Sequence, residues 1–143
     1  MPQKKYDAFK HASHNLKAHN VLKKAEEFPD WEVTTAFYSC LKFFEGSLFP
    51  CEYQHPTKDE KVEYKSYNEY RSAFNRFVGG NPHDAMKFFV KNNTDEDTWL
   101  SYKELYDTCH DSRYKNYVIH PEDLKIAQNS LATIKAYCIE NQK

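Results

Sequence analysis

Glycine is almost missing from this chain: three residues in 143, two of them adjacent at Gly79 and Gly80. Tight β-turns draw on glycine, so a many-stranded fold would lack its punctuation and helices are favoured. Long apolar runs are missing too, and none approaches the roughly 20 residues that a membrane span requires. The four cysteines, Cys40, Cys51, Cys109 and Cys138, are scattered and form no C-x-x-C pair. The first three dozen residues are too polar for a signal peptide, so the expectation is a reduced, cytoplasmic protein. Net charge is nearly absent, at -1 with a pI near 6.6. Such a chain has no global field to hold a polyanion, and any nucleic-acid contact must come from a local basic patch. Gly-rich phosphate loops, repeats and low-complexity tracts are absent as well.

Aromatic residues are abundant. Eleven tyrosines and ten phenylalanines take the place of aliphatics, which leaves the mean hydropathy at -0.91 although 40% of residues are hydrophobic and 29% charged. That is globular composition. A chain of this length fits a single domain over residues 1–143 and buries roughly two-thirds of its unfolded surface without metal or disulfide help.

The stretch from Trp31 to Leu48 organises the rest. Val33, Phe37, Leu41, Phe44 and Leu48 recur with helical period, and Ala36, Tyr38, Cys40 and Phe43 widen the stripe enough to face several neighbours. Asp30 is the expected cap of this helix and Pro29 the end of what precedes it. Before it, Phe9, Ala12, Leu16, His19 and Leu22 predict a long first helix from about Lys5 to Phe28, packed as a hairpin with the second. Residues 49–59, with Pro50 and Pro56, read as the longest loop. Tyr67, Tyr70, Phe74 and Phe77 give a helix that stops at Gly79 and Gly80. Asn81 and Pro82 open a short helix bearing Met86, Phe89 and Val90, a possible lid. Thr94 with Asp97 reads as a capping box before Trp99, Tyr102, Leu105, Tyr106 and Cys109. Pro121 opens a last helix with Leu124, Ala127, Leu131, Ile134 and Cys138.

Three groups have residues suited to chemistry. Arg113 and His120 flank the junction of the last two long helices. Metal-free RNA cleavage needs a base near neutral pKa for the 2′-hydroxyl proton and a fixed cation on the phosphate as charge builds, which His and Arg supply. The alternative for Arg113 is an ion pair with Asp111 or Glu122. His11, His14 and His19 form a second group, which could be metal ligands only with help from elsewhere; satisfied or exposed rings are the better reading. Tyr64, Tyr67 and Tyr70, with Arg71 and Arg76, could stack bases, though rings at helical spacing are usually core.

The segment from Asp30 to Ser39, preceded by His14 and Asn15 and followed by Ser112-Arg113-Tyr114-Lys115-Asn116-Tyr117, resembles small bacterial proteins of the HEPN superfamily. The resemblance implies an all-α, up-and-down bundle of four to five long helices with a short extra helix, dimerising with the motif-bearing faces together. Many members are metal-independent ribonucleases of toxin-antitoxin, abortive-infection or CRISPR systems that use an Arg-x4-6-His motif, which Arg113 and His120 match at its longest spacing. Tyr114 stands where the family has a small polar residue, and Pro121 places His120 outside the helix. By this resemblance His120 is the general base or acid and Arg113 steadies the phosphorane, while Tyr114, Lys115 and Asn116 seat RNA. No cofactor or metal is implied. The implied partners are a second copy of the chain, RNA, and an antitoxin or nucleotidyltransferase protein. Other members are non-catalytic modules that bind nucleotides or proteins, and here Arg113 would instead hold the bundle or dimer together.

Overall fold

The computed structural model describes residues 5–115 and 117–143, with only the backbone at positions 113 and 114. The described residues are mostly helical: α1 (Ala8–Ala25), α2 (Pro29–Ser47), α3 (Tyr67–Phe77), α4 (Asp84–Asn93), α5 (Glu96–Tyr114) and α6 (Pro121–Glu140), with a two-stranded sheet of β1 (Cys51–Gln54) and β2 (Lys61–Tyr64). No described helix is long and apolar enough to cross a membrane.

The first helix begins where Asp7 Oδ1 accepts the free amides of Phe9 and Lys10, at 2.9 and 3.2 Å. It ends at Glu26, whose left-handed backbone (φ 57°) turns the chain into α2. The helix is therefore shorter at both ends than the stripe suggests. Pro29, and not Asp30, opens α2: proline suits the first helical position because its missing N–H would be unpaired there anyway. Asp30 and Glu32 then lie in the first turn and complement the helix dipole.

Three contacts fix α1 antiparallel to α2. Gly46 faces Ala8 and Phe9, Ser39 Oγ donates to the Ala12 carbonyl at 2.9 Å, and His19 Nδ1 donates to the Glu32 carbonyl at 2.8 Å. Position falls along one helix as it rises along the other, as in a hairpin. α2 also packs on α5 and α6, which pack on each other. The wide apolar arc explains this: Val33, Ala36, Phe37, Cys40, Phe43, Phe44 and Leu48 are all buried. Each buried phenylalanine contributes about 1.5–3 kcal/mol.

The expected loop after α2 contains a β-hairpin. Cys51 pairs with Tyr64 and Gln54 with Lys61, so Tyr53 and Tyr64 turn inward on the buried face. No glycine makes the turn. Instead the buried His55 ring accepts at Nδ1 from the Thr57 and Lys58 amides, at 3.1 and 3.0 Å, and so ties the turn to a side chain.

Ser66 caps α3 through the Glu69 amide, and Gly79 and Gly80 follow it with φ of 78° and 102°, which side chains rarely tolerate. Two further helix starts differ from expectation. α4 begins at Asp84, after a turn in which Asn81 Oδ1 accepts the His83 amide. Asp95, not Thr94, caps α5 through the Thr98 amide at 2.8 Å, while the Thr94 hydroxyl closes α4 on the Val90 carbonyl. Met86, Phe89 and Val90 are buried within the main cluster, so α4 is part of the core and not a lid.

Candidate functional site

α5 carries the arginine of the expected motif on its last turn. Positions 106, 110 and 113 are four and three residues apart and therefore share one helix face, spread over about 10 Å along the axis. Tyr106 and His110 occupy the first two, their rings stacked with centroids 6.1 Å apart. α4 and the residue before it pack over the same face and add two more groups. His83 meets Tyr106 edge-on at 5.4 Å, and Lys87 Nζ lies 3.9 Å above the Tyr106 ring. A cation so placed is attracted by the ring's negative face. From below, Phe37 of α2 supports both His83 and Tyr106, at 6.0 and 5.8 Å, and its neighbour Tyr38 reaches the surface.

Among the described residues the result is two imidazoles and an ammonium gathered around the Tyr106 ring, on the helix face that also bears position 113. In a chain of net charge -1 this cluster of one ammonium and two imidazoles is a local feature and not part of a wider positive field. Asp111 tempers it: its carboxylate is 3.2 Å from Lys115 Nζ and 4.0 Å from His110 Nδ1, all three groups being exposed. Lys115 is thus already tied to a carboxylate. The side chains of Arg113 and Tyr114, and Asn116 entirely, lie outside the described residues.

His120 is exposed and stands just before α6 in extended conformation (φ -63°, ψ 138°), with no side-chain capping bond. The proline that follows disfavours helical geometry at this residue, so α5 does not continue to it. Arg113 and His120 are therefore on separate segments and not on one continuous helix.

The other candidate groups separate cleanly. His11 Nδ1 bonds to the Tyr6 hydroxyl at 2.8 Å, and His14 lies beside it with ring centroids 6.4 Å apart. His19 is buried, and burial lowers its pKa below the ordinary value, leaving a neutral ring that donates to the Glu32 carbonyl. These three histidines do not converge, and among the described residues no group of three or more His, Cys, Asp or Glu could hold a metal ion. Tyr64, Tyr67 and Tyr70 are buried, so their rings form core and not a base-stacking platform. Burial pushes all three phenols upward in pKa. Three of the four cysteines are buried; Cys138 is pushed up to about 12 and Cys40 is also raised, so neither is a ready nucleophile.

Sequence reasoning missed His83, Lys87, Tyr106 and His110. The spacing of Tyr106, His110 and Arg113 was a usable signal; the contribution from α4 was not, because it exists only in the packed structure. No family model, curated protein or solved structure matches this chain.

Proposed function

We propose that the chain is a HEPN-like up-and-down helical bundle that acts on RNA as a homodimer and cleaves it without metal. The observation that carries this reading is the convergence of His83, Lys87 and His110 around Tyr106, on the helix face that also bears position 113. The chemistry needs a proton acceptor, a proton donor and fixed positive charge. An imidazole, His120 by the family motif, takes the 2′-hydroxyl proton, and the oxygen attacks phosphorus. The 5′-oxygen leaves with a proton from a second imidazole, a role that falls to His110 in this reading. The products are a 2′,3′-cyclic phosphate and a 5′-hydroxyl. Arg113 and Lys87 offset the charge that builds on the phosphoryl oxygens, and Tyr38 offers an exposed ring on which a base can stack. Pairing two copies places two such patches in one groove, which compensates for the weak charge of a single subunit.

The extended backbone at His120 favours a second reading, in which RNA is held but not cut. Titrating labelled single-stranded RNA into the protein tests both. Lys87→Glu and Arg113→Ala should weaken binding at least about tenfold, equivalent to roughly 1.4 kcal/mol. Loss of cleavage in His120→Ala with binding intact supports the enzyme. Wild-type binding by Lys87→Glu would remove this face from the reading.

A further inference from the structure

A different surface lies where the α1–α2 turn meets residues 117–119. Two adjoining hollows, of about 360 and 460 Å³, share Pro29 and Ile119 as a common wall. Glu32 lines the smaller hollow. It is only 2% exposed, and among the described residues its one side-chain hydrogen bond is long, 3.4 Å from Gln128 Nε2. A covered carboxylate with spare acceptor capacity gains most from a charged, multidentate donor. The larger hollow is walled by Phe28, Trp31 and Tyr117, which are 46, 55 and 72% exposed. Exposed rings gathered in this way mark interaction surfaces, of which Trp and Tyr are the usual anchors.

The charges select the occupant. Glu26 and Glu32 line one hollow and Glu27 and Asp30 the other, against Lys23 alone among the described residues. Such a field repels phosphate and attracts cations. Ammonium and guanidinium both answer the charge, but guanidinium is planar, weakly hydrated, bidentate toward carboxylates and stacks on aromatic faces. We infer that this surface docks an arginine-bearing segment of a partner protein, with one guanidinium seated over Glu32 and the flanking residues against Trp31 and Tyr117. The inference calls on side chains other than those of the RNA reading and on the opposite sign of charge, although Ile119 and Pro121, which wall the hollow, flank His120.

The test is fluorescence anisotropy of the full chain with a labelled nonapeptide of alternating arginine and leucine, and with its lysine and glutamate counterparts. The arginine peptide should bind saturably, the lysine peptide more weakly and the glutamate peptide not at all. Glu32→Gln, which keeps side-chain shape, and Trp31→Ala, at the surface, should each weaken binding about tenfold or more. His110→Ala and Lys87→Glu should leave it unchanged. Equal binding by the glutamate peptide, unaltered affinity in Glu32→Gln, or no saturable binding would overturn the inference. So would self-association of the chain that Glu32→Gln abolishes while the peptide fails to bind, because the occupant would then be a second copy.

Discussion

Replacing Gly46 by alanine sets two effects of opposite sign against each other. In a helix interior alanine is better than glycine by about 0.8–1.0 kcal/mol, an upper bound for Gly46 in the last turn of α2, so propensity alone makes the variant more stable. The structure opposes this. A Cβ at position 46 would lie 2.3 Å from the Phe9 nitrogen, 2.7 Å from the Phe9 Cα and 2.9 Å from the Ala8 carbonyl carbon. These are backbone atoms of α1 and cannot rotate aside, so the helix must retreat or its first turn must open. Overpacking of this kind costs about 1–3 kcal/mol, occasionally more. Retreat also separates Phe9 from Phe43, whose edge-on contact at 5.7 Å contributes about 0.5–1.5 kcal/mol. The net expectation is a loss of about 1–2 kcal/mol, or roughly 2–8 °C in Tm for a chain of this size. Urea and thermal unfolding followed by circular dichroism measure it. A Gly46→Ala protein as stable as the parent, or more so, would refute the close approach of α1 to α2.

Three further outcomes follow from burial. Among the described residues the Tyr102 hydroxyl is buried without a hydrogen-bond partner, so Tyr102→Phe should hold or raise stability by about 1 kcal/mol in urea titration; a loss above that would reveal a partner. His19 has its folded pKa depressed from 6.5, so the unfolded chain binds the proton more readily and stability, full above pH 6.5, should fall as pH drops below that value. His19→Gln, which keeps a donor for the Glu32 carbonyl, should flatten the slope of urea midpoints between about pH 7 and 5, and an unchanged slope would exclude His19 as its source. Iodoacetamide on the native protein should modify half-buried Cys51 well before Cys40, Cys109 and Cys138, as peptide mapping would show; prior labelling of Cys138 would contradict its burial.

The helices were legible because their apolar residues keep a 3.6-residue period that depends on local sequence alone, as Val33 to Leu48 and Leu124 to Cys138 demonstrate. Helix ends were less so. Thr94 and Asp95 are both good caps, and only the folded chain shows that the Thr94 hydroxyl is spent on the Val90 carbonyl. The hairpin was hidden because its turn lacks glycine and is closed instead by a local bond to the ring of His55, which is no usual turn signal, while Pro50 and Pro56 flank β1 and suggest a loop. The candidate site was half legible. Arg113 and His120 stand out as residue types, whereas His83 and Lys87 gain meaning only when α4 lies across α5. Glu32 lies in the first turn of α2, and nothing in its sequence neighbours announces that Ile119 and Pro121 wall a hollow beside it.

On the proposed function, the face of α5 bearing Tyr106, His110 and position 113 breaks RNA by transesterification. The most direct measurement is end-group analysis of 5′-labelled single-stranded RNA incubated with the protein in excess EDTA. Fragments ending in 2′,3′-cyclic phosphate are expected, lost in Arg113→Ala and in His120→Ala at unchanged Tm. Intact RNA from a folded wild-type protein, or cleavage that survives in both variants, would contradict it.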